Sequence, residues 1–201
     1  MTDSPGGKRG GKRERLVAGA AELVHRKGVA ATSLADIAQA SGVPVGNVYY
    51  YFKTKDDLLR AVIEAQVDQV EALLTGLADL PGPAERLKAL VGQWERMRDV
   101  VARYGCPFGT LAADLDRRDD GLDVEAAGPI RRILDWAEDQ LRALGAQDAR
   151  ELATTLFAGI QGGALLAGAL RDPEVMSTQV RHLRQWIDTL ARSRGRTSPN
   201  G

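Results

Sequence analysis

The run Thr32–Lys55, TSLADIAQASGVPVGNVYYYFKTK, constrains the fold of this chain more than any other stretch. Ser33 with Asp36 three places on approximates a capping box, so a helix is expected to start there. Leu34, Ile37 and Ala38 give that helix one apolar face, and it ends near Ala40. Gly42 stands where the backbone must leave the helix with positive φ. Val43 can plug the angle between helices, and Pro44 suits the head of the next one, where a missing N–H is no loss. That next helix is Val45–Tyr51, and Thr54 with Asp57 makes a second approximate box for a third. Two short helices around a glycine turn form a helix-turn-helix, whose second helix can lie in a DNA major groove.

The matched positions reach further than the turn. Asp36-Ile37-Ala38, Gly42-Val43, Gly46, Val48-Tyr49, Tyr51-Phe52, Lys55 and Leu58 together resemble the DNA-binding signature of the TetR family of bacterial transcriptional regulators. That resemblance is close over about a quarter of the chain and architectural beyond it. Further on, GCPFGTLAADL (Gly105–Leu115) resembles the LmrA/YxaF-like subgroup. The expected architecture is all-α, with about nine helices. Residues 1–54 would form a three-helix DNA-binding domain with a basic N-terminal arm, and residues 55–201 a helical ligand-binding and dimerisation domain. The family resemblance implies a homodimer on a palindromic operator, most often a repressor, released by a small-molecule effector.

Charge is distributed as that division requires. Residues up to Lys55 carry nine basic and four acidic side chains, whereas the whole chain carries 27 of each. A polyanion partner is therefore expected for the N-terminal part alone. The single cysteine, Cys106, excludes an internal disulfide, and the glycine-rich basic start lacks the apolar core of a secretion signal, so a cytoplasmic setting is expected. Cys106 itself reads as a small packing residue rather than an oxidant sensor. His25 and His182 stand far apart with no metal-ligand spacing, and no nucleophile–base set or phosphate loop occurs, so neither an enzyme, a metal nor a cofactor is expected. Leu152–Leu170 is uncharged and long enough to span a bilayer, but its glycines, threonines and glutamine favour a buried interface helix over a membrane span.

The helix Val45–Tyr51 supplies most of the DNA-facing residues. Val48 and Phe52 lie four apart and should face the small domain's core, leaving Val45, Asn47, Tyr49 and Tyr50 toward the groove. Asn47 suits a base edge and Val45 a thymine methyl, while tyrosine hydroxyls such as that of Tyr49 suit phosphates. Gly46 reads either as a site of close backbone approach to DNA or as a packing glycine. Tyr51 divides between packing and phosphate contact. Lys53, Lys55 and the tail Met1–Gly11 supply charge that the helix lacks, and the matching lysine of the family, at Lys55, is implied to contact phosphate. Ser33 completes the DNA-facing set. The tail reads as either a solvated segment or a phosphate- or groove-touching arm.

A brace helix, Lys12–Lys27, precedes this unit and Lys55–Leu80 follows it. Later helices are expected at Ala84–Tyr104, Thr110–Leu115, Pro129–Leu144, Ala149–Leu170 and Pro173 to about Arg192, with Asp116–Asp123 a charged loop. Small residues crowd Ala149–Leu170. Gly159 and Gly163, with Leu183, Trp186, Ile187 and Leu190, are expected to form a two-fold four-helix interface, the alternative being a monomeric bundle that uses the same residues internally. Trp94, Met97, Arg98, Val101, Phe108, Leu111, Ile133, Trp136, Phe157 and Gln161 mix apolar bulk with a few polar groups and read as either an effector pocket or an ordinary core. An activator of the same fold, or a helical scaffold that never meets DNA, remains compatible with these patterns.

Overall fold

A computed structural model describes residues 11–195, and the basic tail before them, with Lys8 and Arg9, lies outside the described residues. The described chain is all-helical, with eleven helical segments in two compact units that divide after Ala65.

The first unit contains α1 (Lys12–Lys27), α2 (Leu34–Ser41), α3 (Val45–Tyr51) and the start of α4 (Lys55–Leu77). Its core is small and aliphatic. Leu16, Ala20 and Val24 of α1, Ile37 of α2, Val48 of α3, and Leu58, Leu59 and Val62 of α4 are buried. Phe52 closes one end of it under the guanidinium of Arg13, 5.3 Å from the ring centre. Both sequence-read boxes form. The Ser33 hydroxyl accepts from the Asp36 N–H at 3.1 Å while Asp36 Oδ2 accepts from the Ser33 N–H at 2.9 Å. At α4, Asp57 and Thr54 exchange the same pair at 2.9 and 3.0 Å.

The second unit runs from Gln66 to the end of α11. It holds the rest of α4, then α5 (Pro83–Arg96), α6 (Arg98–Tyr104), α7 (Pro107–Leu115), α8 (Leu122–Ala126), α9 (Gly128–Ala143), α10 (Ala149–Leu170) and α11 (Pro173–Gly195). α10 is central, packed against α6, α9 and α11, and α5 lies against α9 and α11. Lys88 of α5 joins Glu85 at 2.7 Å and Asp188 of α11 at 2.8 Å, and Arg150 of α10 joins Asp135 of α9 at 2.7 Å.

α4 ends three residues short of the expected Leu80, and α7 starts three residues before the expected Thr110. Two further elements differ in kind from the sequence expectation. The helix expected over Ala84–Tyr104 is interrupted at Met97, whose φ of −106° and ψ of 12° leave the α region. No proline or glycine marks that break. Arg98, just past it, reaches Glu174 at 3.0 Å and Ser177 at 2.9 Å on α11, so the break coincides with a tertiary tie. The expected loop Asp116–Asp123 gives way at its end to the short α8, anchored by buried Leu122 and Ala126. α10 is long and apolar enough to cross a membrane, but one side of it (Ala153, Leu156, Ile160, Ala164 and Ala167) is buried among the helices of its own unit.

Candidate nucleic-acid interface

The turn between α2 and α3 is set by Gly42. It adopts φ 60° and ψ 36°, the left-handed conformation, and the Val43 N–H closes back on the Ala38 carbonyl at 3.0 Å. A Cβ at Gly42 would meet no atom within 4 Å, so the backbone angle and not space requires glycine here. Val43 is buried in the angle, as its position before Pro44 suggested.

α3 is held by one side. Val48 is fully buried and Phe52 nearly so, while Val45 is 47%, Tyr49 53% and Tyr50 75% exposed. Gly46 and Tyr50, four apart, lie opposite the buried Val48–Phe52 line, while Val45 and Tyr49 flank that line and are exposed all the same. Leaving three such side chains in water is unusual for a helix that also contributes a buried core residue. Tyr50 and Tyr51 pack edge to face with ring centres 5.0 Å apart, which fixes the direction of both rings. Asn47 is half-buried, four residues before Tyr51 on the other flank of the helix. Gly46 is exposed, and a Cβ there would meet nothing within 4 Å. Packing inside the chain therefore does not explain this glycine, although glycine weakens a helix by about 1 kcal/mol relative to alanine.

The flanking cations are partly engaged. Lys53 is exposed, and its ammonium donates to the Tyr49 carbonyl at 3.1 Å. The Lys55 ammonium donates to the Val29 carbonyl, a tie that binds the start of α4 to the loop after α1. A lysine ammonium carries further protons for an anion. Ser33 is exposed, but its hydroxyl donates to the Asp36 carboxylate at 2.6 Å as well as accepting from the Asp36 N–H. That position is a cap. The Asp36 carboxyl sits below the ordinary aspartate range, chiefly because the Ser33 hydroxyl and N–H hydrogen-bond its charged form, and Asp57 is lowered in the same way by Thr54.

In the second unit, the residues expected around an effector are mostly core. Trp94, Val101, Phe108, Ile133 and Phe157 are buried in one cluster, with Met97 and Trp136 packed against it, and Leu111 is buried as well. Trp94 and Phe157 meet edge to face at 6.0 Å. Arg98 serves the α11 tie and Trp136 borders a separate groove beside Glu71 and Arg132. Only Gln161 opens onto a cleft of apolar character, about 360 Å³ in volume, between α7 and α10. Its Nε2 donates to Cys106 Sγ at 3.3 Å, and Thr110 and Leu165 line the same space. Buried Trp94 Nε1 and Gln66 Oε1 have no hydrogen-bond partner among the described residues.

The small residues of α10 divide by face. A Cβ on Gly163 would stand 2.8 Å from Gln179 Cγ, and one on Gly159 3.1 Å from a Leu183 methyl, so both glycines let α11 of the same chain approach. Leu183 and Ile187 are buried in the chain's own core, and Trp186 and Leu190 are half-covered by it. Gly159, Gly163, Leu183 and Ile187 of the expected pairing surface are thus taken up by packing within the chain, while Trp186 and Leu190 keep part of their surface open. The face left open carries Ala158, Gly162, Leu165, Leu166, Ala169 and Leu170, with Leu165 72% exposed. Sequence periodicity missed it because α10 is apolar on nearly all sides, and a helix without a polar face does not declare which side is inward.

Residues 16–62 match the family described as bacterial regulatory proteins of the tetR family. Residues 83–182 match the C-terminal domain of LmrA/YxaF-like transcriptional regulators. The HTH-type transcriptional regulator TtgR of Pseudomonas putida is 36% identical over 188 residues, covering 88% of each chain. The HTH-type transcriptional regulator LmrA of Bacillus subtilis is 29% identical over 90% of this chain and 97% of its own. A TetR transcriptional regulator from Legionella pneumophila, solved by crystallography, has the same fold, with a TM-score of 0.75, 24% identity, and coverage of 94% of this chain and 98% of its own.

Proposed function

This chain belongs to the TetR family of DNA-binding helix-turn-helix transcriptional regulators, and from that premise we propose that it is a cytoplasmic repressor that binds a near-palindromic operator as a homodimer and leaves it on binding a small molecule. The observation that carries the DNA half is the exposed surface of α3, where Val45, Tyr49 and Tyr50 stand in solvent while Val48 anchors the helix from behind. Residues 1–54, with Lys55 at the head of α4, take the operator, and the rest of residues 55–201 take the effector and the second copy. Tyr49, Tyr50, Tyr51 and Lys53 hold phosphates, and Lys55 adds charge at the head of α4.

Pairing uses the open apolar face of α10 together with the outer side of α11. Gly162 supports this reading, because it is exposed, its missing side chain faces open space, and the chain's own packing does not need it. Two-fold pairing of this face is isologous, which matches two recognition helices reading two half-sites. The effector lies against Gln161 in the cleft between α7 and α10 and is largely apolar and uncharged, since no aspartate, glutamate, lysine, arginine or histidine lines that cleft. α4 runs unbroken from Lys55 to Leu77, and an effector's preference for one conformer would reach α3 along it. Selection of bound duplexes from a random pool, followed by release with apolar candidate effectors, tests the reading. A protein that enriches no duplex at modest salt would overturn it.

A further inference from the structure

We infer that α3 selects its half-site mainly through thymine 5-methyl groups, with Val45 the reading side chain and Gly46 the position that brings the helix close enough for it to read; this rests on the DNA-binding assignment above. The exposed residues of the helix include Val45, Gly46, Tyr49 and Tyr50, and none of these offers the paired donors and acceptors that fix a guanine or adenine edge. Asn47, the one amide on α3, is half-buried on the flank beside Tyr51. No arginine or lysine lies between Val45 and Tyr51.

What remains exposed is apolar contact and phenol hydroxyls. The major groove presents one apolar feature, the C5 methyl of thymine, so an exposed valine at the head of the helix has a single favourable partner there. Methyl contact is short-ranged and works only where backbone and base edge come near. Gly46, next to Val45, is exposed with open space where its Cβ would be, and removes the side chain that would hold the helix away. The hydroxyls of Tyr49 and Tyr50 sit at the ends of long rigid rings, suited to phosphates that fix the register.

The test uses the full-length protein and a duplex enriched from a random pool. Each thymine of one half-site is replaced in turn by deoxyuridine, which removes the methyl and leaves the hydrogen-bonding edge intact. At one or more positions affinity should fall by about fourfold, the value of one buried methyl-sized group. Val45→Ala should bind the thymine and deoxyuridine duplexes alike at that position while keeping its helix content. An enriched duplex that tolerates deoxyuridine everywhere overturns this inference and leaves the DNA-binding assignment standing. A thymine preference that persists undiminished in Val45→Ala removes Val45 as the reader. Failure to enrich any duplex overturns the DNA-binding assignment, and this inference with it.

Discussion

Single residues in the first unit have opposing effects on fold and binding, which makes their roles separable. Gly46→Ala adds a methyl into open space on a helix, so it should raise the unfolding free energy by up to about 1 kcal/mol. The same methyl should weaken operator binding. A melting temperature that rises while affinity falls, read from thermal melts and fluorescence anisotropy on one preparation, is the expected pair; unchanged affinity would return Gly46 to a neutral surface role. Ser33 and Asp36 behave differently, because their hydrogen bonds to each other are what start α2. With its pKa lowered in the fold, Asp36 contributes stability that is present above the ordinary aspartate pKa and lost as pH falls through the folded value. Asp36→Asn should therefore be less stable than the parent at neutral pH, and the gap should narrow in acid. Thermal melts at several acid pH values check this, and a gap of constant size would show that the charge on Asp36 does not matter.

At the scale of the element, α10 is the instructive case. Its glycines look alike in sequence, yet Gly163 lies against Gln179 and Met176 of α11 while Gly162 faces outward. Gly163→Ala should push α11 away and cost about 1–3 kcal/mol, as overpacked core positions do. Gly162→Ala should leave the fold intact or stabilise it slightly, and should weaken self-association instead. Chemical denaturation and sedimentation measured on both variants separate the two effects. Equal destabilisation by both changes would mean that Gly162 is part of the chain's own core. α5 and α6 carry a related lesson, for their apolar positions run on without a sequence break, and only the Arg98 tie to Glu174 and Ser177 marks where the helix turns.

For the whole molecule, the central expectation is that pairing and DNA binding stand or fall together. Leu165→Lys with Leu166→Glu puts opposite charges on the open face of α10, where neither leucine is buried. The variant should keep its helix content by circular dichroism yet sediment as a monomer. Operator affinity should then drop, because one recognition helix reads only half the site. A variant that remains dimeric would move the pairing surface elsewhere. The asymmetry of charge also belongs to this scale. If the cations flanking α3, Lys53 and Lys55, carry the ionic phosphate contacts as proposed, binding should weaken steeply with salt.

Local signals in the sequence determined the first unit almost residue by residue. Its helices are short and bounded by capping pairs, a glycine and a proline, and each of those acts through its own backbone or that of close neighbours. The boundaries of α1 and α3, and the burial of Val48 and Phe52, were legible for that reason. Tertiary structure alone decided how the second unit uses its apolar residues. Trp94, Phe108 and Phe157 could line a pocket or fill a core, Gly162 and Gly163 could face either way, and composition is the same in both cases. The choice depends on which distant helix comes to lie alongside, a relation between residues far apart in the chain that no local pattern encodes.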